Sequence, residues 1–153
     1  MRVKKFLDEN GINYEVFEHE SSFTAQEVVA AEHEPGKSVA KPVIVKAGEE
    51  YVMCVLPACY KIDMDALKSE LAVDSVELIS EAEVGEIFSD CDLGAEPPFG
   101  NLYDLLTVMD RSLEGDEYIL FQFGTHEKSI RMRMDDYCNL VAPRVLKFSY
   151  HLI

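Results

Sequence analysis

A chain of 153 residues that is 48% hydrophobic and 28% charged has the length and composition of one domain with a hydrophobic core. Its 29 acidic residues outnumber 14 lysines and arginines, and the net charge of −15 argues against non-specific binding of long nucleic acids, which requires a basic surface. No apolar run approaches the ~20 residues that span a bilayer, and no signal-peptide core follows the basic start, so we expect a cytoplasmic protein without a membrane partner.

The first predicted element is a short helix over residues 2–10, which Gly11 ends. Apolar and polar side chains then alternate over residues 12–19, which predicts a strand. Thr24 and Glu27 have the spacing of a capping box, and they predict a helix that begins at Thr24.

Two apolar runs joined by a short link predict a β-hairpin over residues 39–46 and 51–56. Helices are predicted over residues 63–71 and 80–88, the second with the capping-box pair Ser80 and Glu83, and a strand over residues 76–79 lies between them.

The second half of the chain reads mainly as strands, over residues 105–109, 118–123 and 129–134. A short helix over residues 135–140 and a final strand over residues 144–149 complete the predicted elements. Because strands and short helices alternate without a regular βαβ period, we expect an α+β fold with a mixed, mostly antiparallel sheet. A doubly wound parallel fold is the less favoured alternative.

Cysteine and histidine positions predict neither disulfides nor a metal site. The cysteines form no CxxC pair and no regular framework, which favours free thiols, and the histidines do not cluster with them. No metal and no other cofactor is expected. The chain also lacks a GxSxG elbow, a Walker loop and an HExxH motif, so a covalent mechanism has little support.

The segment "GAEPPFG", residues 94–100, contains four of the fourteen glycines and prolines of the chain. Pro97 and Pro98 fix φ near −65°, whereas Gly94 and Gly100 permit positive φ and close approach of another group. Such a loop holds one shape. It either turns a corner, which is the commoner use of Gly and Pro, or lines a pocket.

Two further positions have a structural and a functional interpretation. Lys41 precedes Pro42 at a strand start or edge, where a lysine is most often a guard against edge pairing but can also hold a phosphate or carbonyl. Lys46 lies five residues on, an odd spacing that puts it on the opposite face of a regular strand unless a bulge intervenes. His126, in the turn "FGTHEK", is either solvent-exposed or placed over a sheet end.

Four segments together resemble one known family. "SFTAQEVV", "VAKPVIV", "GAEPPFG" and "FGTHEKSIRMRMDDY" occur in the order and approximate spacing of the YbaK/prolyl-tRNA synthetase editing-domain family. The resemblance covers nearly the whole chain and implies one such domain over residues 1–153. Similar members are freestanding hydrolases that release Cys or Ala wrongly attached to proline tRNA, and it implies the acceptor end of aminoacyl-tRNA and prolyl-tRNA synthetase as partners.

The resemblance also implies roles for individual residues. Lys41 matches the essential lysine of the family, although Pro42 stands where Thr or Asn is more usual. Lys46 matches a second lysine near the acceptor end, and Thr24 matches the start of a substrate-facing helix. The substrate-binding loop and turn of the family match Gly94, Pro98, Phe99, Gly100, Gly124, Thr125 and His126.

The implied mechanism is ester hydrolysis by water, aided by the ribose hydroxyl of the substrate. Lys41 would orient the ester, the backbone N–H of Gly100 or its neighbours would stabilise the oxyanion, and His126 would shape the pocket. Two other readings stay open: a non-catalytic aminoacyl- or nucleotide-binding module that partners a synthetase, and a dimerising domain with purely structural loops. Contact with tRNA would use Lys37, Lys41, Lys46, Arg131, Arg133 and Arg144.

Overall fold

Ten strands and four α-helices make up the part of the chain that the computed structural model describes, residues 2–18 and 39–151. The α-helices are α1 (Arg2–Glu9), α2 (Met64–Leu71), α3 (Glu81–Ile87) and α4 (Met134–Val141). The strands are β1 (Tyr14–Glu18), β2 (Ala40–Ala47), β3 (Glu50–Pro57), β4 (Tyr60–Ile62), β5 (Val76–Leu78), β6 (Leu106–Asp110), β7 (Tyr118–Phe123), β8 (Thr125–Arg133), β9 (Arg144–Leu146) and β10 (Ser149–His151). Short 3-10 helices cover Gly100–Tyr103 and Arg111–Leu113.

The described strands form three sheets. A five-stranded sheet has the order β5-β2-β3-β6-β9, a three-stranded sheet the order β1-β8-β7, and β10 pairs with β4. Most pairs are antiparallel, but β3 and β6, and β6 and β9, run parallel. The predicted α+β class with mixed, mostly antiparallel pairing is therefore confirmed, although the strands divide among several sheets.

The β2–β3 hairpin lies between two hydrophobic clusters. Its register runs without interruption from the Ala40–Pro57 pair to the Ala47–Glu50 pair, so successive side chains alternate strictly between the two faces. Ile44 faces a cluster that includes α1 and the aromatic side chains after the Gly/Pro loop. Val45 faces a second cluster with Leu67 of α2 and Phe148. Burial on both faces makes this hairpin the scaffold of the fold.

The helix ends follow the capping signals in the sequence. Ser80 precedes α3, its hydroxyl accepts from the Glu83 backbone N–H at 3.2 Å, and the Glu83 carboxylate returns the bond in a complete capping box. Asp63 caps α2 by accepting from the Ala66 N–H at 3.1 Å. Gly11 follows α1 with φ of +66°. The predicted Ser80–Glu83 capping box and the predicted end of α1 at Gly11 are confirmed, and the Asp63 cap is a further finding.

The predicted final strand over residues 144–149 is wrong, because the segment divides into β9 and β10. Asp110 Oδ1 accepts from the backbone N–H groups of Phe148 and Ser149, both at 2.9 Å, while the Phe148 side chain is fully buried. The chain therefore bends there, and β10 pairs with β4, a three-residue strand that the sequence analysis missed. The strand predicted over residues 129–134 begins earlier, at Thr125, and Met134 opens α4.

The helix predicted to begin at Thr24 lies outside the described residues, as do Thr24 itself and Lys37. None of the helices within residues 2–18 and 39–151 has the length and apolar character needed to cross a membrane.

We predict that Asp110→Ala lowers the free energy of unfolding by about 2–4 kcal/mol, because buried N–H donors lose a charged acceptor. The carboxylate also accepts from the backbone N–H of Ser112 at 3.0 Å and from the hydroxyl of that residue. Urea unfolding measures the change. Asp74→Ala, at an exposed position, is the matched control and should stay within about 0.5 kcal/mol of the wild type. Equal losses in both variants would contradict the role of Asp110.

Candidate active site

The Gly/Pro loop and the histidine turn are in direct contact. A Cβ atom added at Gly94 would lie 3.0 Å from Cε1 of His126, and Nε2 of His126 lies 2.7 Å from the carbonyl oxygen of Leu93. A carbonyl only accepts hydrogen bonds, so this contact requires a proton on Nε2 and leaves Nδ1 as the acceptor of a neutral ring. The loop thus sets both the position and the tautomer of His126.

Backbone hydrogen bonds join the same two segments. The Asp92 N–H donates to the Gly124 carbonyl, and the Gly124 N–H donates to the Ala95 carbonyl, both at 2.7 Å. Gly94 has φ of +89° and Gly124 has φ of +82°, values that disfavour any side chain with a Cβ. The register of β7 and β8 also shifts between Gln122 and Phe123, so the turn departs from a simple hairpin.

The second half of the loop is anchored in the hydrophobic core. Phe99 is fully buried, and its ring packs edge-on against Phe121 and Tyr137, with centroids 5.4 and 5.3 Å away. The Tyr137 hydroxyl donates to the Pro98 carbonyl. At Gly100 a Cβ would lie 2.3 Å from Oγ1 of Thr107, so close packing alone requires glycine there. These contacts account for the rigidity of the loop, and contacts of Pro98, Phe99 and Gly100 with a substrate stay predictions.

Glu96 is a buried carboxylate that the sequence analysis did not single out. Only 7% of the residue is exposed, and its Oε1 accepts from the Gly94 N–H at 3.1 Å. The bond holds the left-handed turn in front of His126. A charged residue inside an otherwise apolar Gly/Pro segment was the signal available in the sequence.

Among the described residues, buried polar atoms without a hydrogen-bond partner lie beside the same turn. They include Nε2 of Gln122, Oγ1 of Thr125 and Oγ of Ser129. Buried polar atoms in folded proteins nearly always have a partner, so a group left without one points to a ligand, an ion or a water. Thr125 belongs to the predicted site, whereas Gln122 was missed.

Lys41 lines a cavity of about 300 Å³, which we call the Lys41 cavity, and neither Gly94 nor His126 is among its lining residues. Lys41 is half-buried on β2 opposite Leu56, and β4 and β10 form the facing wall. The lining residues are Lys41, Val43, Leu56, Tyr60, Lys61, Ile62, Met64, Leu78 and Tyr150. Burial lowers the pKa of Lys41 from its ordinary value of 10.5, the Lys61 ammonium lowers it further, and Cys59 opposes the shift.

The path of β2 relates Lys41 to the loop and turn. Val39 forms a parallel bridge with Leu120, and both side chains belong to one small buried cluster. From this bridge β2 runs on to Lys41, while β7 runs in the same direction to Gln122 and then to the Gly124 turn. Lys41 lies two residues after Val39, and Gln122 lies two residues after Leu120. Because side chains two residues apart lie on the same face of a strand, Lys41 shares a face with Val39 and Gln122 shares one with Leu120.

Lys46 is not on the Lys41 face. The unbroken register places it on the opposite side of β2, across from Tyr51 and Glu77, and its charge contributes to a lowered pKa at Glu83 after larger effects from hydrogen bonds. Acidic and phenolic groups therefore surround this ammonium. A contact between Lys46 and substrate stays a prediction that the strand geometry does not favour.

Within residues 2–18 and 39–151 no three His, Cys, Asp or Glu side chains converge as a metal site would require. The four cysteines, at positions 54, 59, 91 and 138, are free thiols.

The sequence matches the profile of the aminoacyl-tRNA editing domain family over residues 19–140, more than half of the chain. The chain belongs to this family. The resemblance carried by the four sequence motifs is thereby confirmed, and residues 94–100 and 124–126 both fall within the matched region of the editing domain.

Named relatives are found in two Escherichia coli strains, K12 and O157:H7. Both carry the name multifunctional Ser/Thr-tRNA deacylase ProXp-y, and each is 28% identical to the present editing domain over 152 residues. The alignment covers 96% of this chain and 90% of the relative.

Solved structures share the fold. A crystal structure described as a candidate trans-editing enzyme for prolyl tRNA synthetase superposes with a TM-score of 0.86 at 19% identity, covering 97% of this chain and 95% of the other. The structure of a hypothetical protein gives a TM-score of 0.87 at 18% identity, with 98% and 100% coverage. At these identities the likeness establishes the architecture, and it confirms the predicted editing-domain-like fold.

We predict that Gly94→Ala in this editing domain reduces deacylation at least tenfold, because the new methyl group meets the His126 ring and strains a left-handed residue. Gly115→Ala is a matched control, since Gly115 has φ of +93° but open space around the added Cβ. Both variants carry a backbone cost of about 1–2 kcal/mol, and only the first displaces His126. Thermal unfolding and single-turnover rates separate the two effects. Equal rates in the variants would contradict the contact.

We also predict a pH dependence that reports Lys41. If its ammonium is the active form, kcat falls as pH rises through a pKa below 10.5. Lys61→Gln removes a neighbouring positive charge, raises the pKa of Lys41 and moves this limb to higher pH, whereas Lys68→Gln on α2 leaves it in place. Because the pKa of Lys41 is lower in the folded protein than in the unfolded chain, it lowers the free energy of unfolding at pH values below the folded-state pKa. This destabilisation disappears as the pH approaches 10.5. The rates are corrected for spontaneous ester hydrolysis. If the high-pH limb of the kcat profile then lies at the same pH in Lys61→Gln as in the wild type, its assignment to Lys41 is refuted.

Proposed function

We propose that this aminoacyl-tRNA editing domain acts in trans as a deacylase, hydrolysing the ester between a small, wrongly attached amino acid and tRNA. The observation that carries the proposal is the junction of the Gly94 loop with the His126 turn. Two motifs that lie about thirty residues apart in sequence are joined there by close packing and paired hydrogen bonds. A wall built this rigidly suits discrimination by size, where one methylene is worth only ~1–3 kcal/mol.

Lys41 supplies the positive charge in this mechanism. Its side chain lines a mainly apolar cavity, together with that of Lys61, and a charge interacts more strongly there than it does in open water. It neutralises the terminal phosphate or polarises the ester carbonyl and orients the substrate for attack. Water is the nucleophile, assisted by the ribose hydroxyl of the substrate, and His126 shapes the pocket with its Nδ1 available as an acceptor.

Four backbone N–H groups of the loop and turn are engaged. Those of Gly94, Ala95, Phe99 and Gly124 donate within the protein, to Glu96, Asp92, Pro97 and Ala95 respectively. These four are therefore unsuited to hold a developing oxyanion without breaking the loop, whereas the oxyanion role of the Gly100 N–H stays a prediction. Lys41 therefore has to stabilise a larger share of the negative charge that develops on the oxyanion.

The cysteines support a mechanism without a protein nucleophile. Burial raises the pKa of Cys54 and, as the largest of several causes, that of Cys91 to about 12, and it also raises the pKa of Cys138. Such thiols stay protonated near neutral pH and react poorly. Cys59, whose charge acts on Lys41, is the thiol that needs a direct test.

The acyl group is small. The family resemblance predicts Ala or Cys on proline tRNA, and the name of the Escherichia coli relatives adds Ser and Thr. The unpartnered Oγ1 of Thr125 and Nε2 of Gln122 favour a side chain with a hydroxyl or thiol over alanine, because a polar group satisfies them. The acceptor end of tRNA is the bound partner, prolyl-tRNA synthetase is the candidate source of substrate, and residues 1–153 work as one domain in the cytoplasm.

We predict that Lys41→Ala lowers deacylation at least a hundredfold without unfolding the protein, because the pocket loses its charge. The assay is release of amino acid from tRNA charged with Ala, Cys, Ser or Thr, on proline tRNA and on the cognate tRNAs. Lys68→Ala, an exposed lysine on α2, is the matched control.

Cys59→Ala separates the mechanisms in the same assay. Hydrolysis by water retains full activity in this variant, whereas a thiol nucleophile loses it. Full activity in Lys41→Ala would refute the mechanism. A folded wild type that turns over no charged tRNA, yet binds it, would instead identify a non-catalytic binding module.

A further inference from the structure

A second cavity adjoins the Lys41 cavity. It measures about 440 Å³, and the two share Tyr60 and Tyr150 in their walls. The residues that line the second cavity are Tyr60, Asp110, Arg111, Ser112, Lys147, Ser149, Tyr150 and His151. The β4–β10 pair connects the cavities, since Tyr60 lies across from His151 and Lys61 from Tyr150. We call the set of Tyr60, Lys61, Arg111, Lys147, Tyr150 and His151 the basic–aromatic surface.

The charge of this surface is opposite to that of the chain. Acidic residues outnumber basic ones by 29 to 14 overall, yet the walls of the two cavities contain Lys41, Lys61, Arg111 and Lys147 against one acid, Asp110. Asp110 is only 2% exposed and its oxygens accept hydrogen bonds from the protein. Lys147 also lines a third cavity with Asp63 and Glu70, so around the three cavities the four cations outnumber the carboxylates by one. Across the described part of the chain, no carboxylate forms a salt bridge with any of the four cations.

Three other cationic groups predicted to meet RNA have acidic neighbours elsewhere, whereas Arg144 is exposed and Lys37 lies outside the described residues. Arg131 is 2.6 Å from Glu15, and Arg133 lies 4.0 Å from Asp135. Lys46 faces Glu77 across its strand pair. Of the predicted groups that the structure describes, Lys41 lines the cavity next to the basic–aromatic surface. Four cations without a salt bridge among the described residues therefore line the two adjoining cavities, and five others without one lie elsewhere: Lys4, Lys46, Lys68, Lys128 and Arg144.

Aromatic rings lie between the cations. Tyr150 is 50% exposed, and the ring of Tyr60 packs against that of His151 with centroids 5.1 Å apart and an interplanar angle of 32°. Exposed rings interleaved with lysine and arginine are the combination that binds single-stranded nucleic acid, since bases stack on the rings and phosphates meet the cations.

We propose that the basic–aromatic surface binds the single-stranded 3′ end of tRNA and leads it into the Lys41 cavity. The choice of ligand rests on the proposed function, because the ester to be cleaved lies at that end. The backbone phosphates meet Arg111 and Lys147, a base stacks on Tyr150, and the terminal nucleotide reaches Lys41. Half of the surface, Lys147, Tyr150 and His151, comes from the segment at the bend at Phe148, and Lys147 and Tyr150 line one cavity with Arg111.

The test measures binding of an uncharged proline tRNA transcript by fluorescence anisotropy between 50 and 200 mM salt. Arg111→Ala with Lys147→Ala should raise Kd at least tenfold at 50 mM salt. It should also reduce the slope of log K against log salt by about 1.4–1.8, the value for two lost phosphate contacts. Lys4→Ala with Lys5→Ala on α1 changes the charge equally and should leave Kd and slope close to the wild type.

Tyr150 tests the stacking. Tyr150→Leu keeps an apolar side chain but removes the flat ring, and it should weaken binding about tenfold, whereas Tyr150→Phe should restore it. Circular dichroism and thermal unfolding establish that each variant is folded.

Deacylation distinguishes this proposal from the proposed function. With a charged tRNA that the wild type hydrolyses, Arg111→Ala with Lys147→Ala should raise KM while kcat stays near the wild type. Wild-type tRNA binding that depends on these residues, without turnover of any charged tRNA, would support the surface and refute the hydrolase. The proposed role of the surface would be overturned if the substitutions left Kd, the salt slope and KM unchanged. It would also be overturned if the wild type showed no salt-dependent binding of tRNA. If Arg111→Ala with Lys147→Ala lost affinity for purified prolyl-tRNA synthetase but kept its affinity for tRNA, the surface would bind a protein partner. That result would also overturn the proposal.

Discussion

The architecture depends on one constraint: strand β2 is packed on both faces, and its period of two is unbroken. A register slip of one residue would turn Ile44 from the cluster around α1 toward the cluster around Phe148. It would turn Lys41 in the opposite direction, toward the cluster around α1. The same alternation that forms the core therefore aims the predicted catalytic lysine. It also separates Lys41 from Lys46, which lie close in sequence but on opposite sides of a sheet.

The candidate site consists of a rigid part and a charged part. The Gly94 loop and the His126 turn form the rigid part, held by core packing of Phe99 and by hydrogen bonds that occupy most of its own donors. The Lys41 cavity forms the charged part, where burial and Lys61 both lower the pKa of Lys41. Under the proposed function, size selection falls to the loop and charge stabilisation to the lysine.

Local signals in the sequence predicted much of the fold, because a hairpin or a capped helix is specified by residues near one another. The Ser80–Glu83 box, the β2–β3 hairpin and the strand over residues 118–123 are of this kind. The break in the final strand was missed because it depends on Asp110, which is 38 residues away from Phe148. For the site, the motifs of the family indicated the loop and the turn, but not that Glu96 holds Gly94 or that Tyr60 and Tyr150 meet at one cavity. Those pairings arise from tertiary packing and have no periodic signal.

The acidity of the chain gives the position of its cations a consequence. Nucleic acid that approaches most faces of a protein with net charge −15 is repelled, whereas four cations line the adjoining cavities around Lys41. Under the proposal that this surface binds the 3′ end of tRNA, such a field acts as a filter on orientation, because it favours encounters led by a slender, flexible strand end.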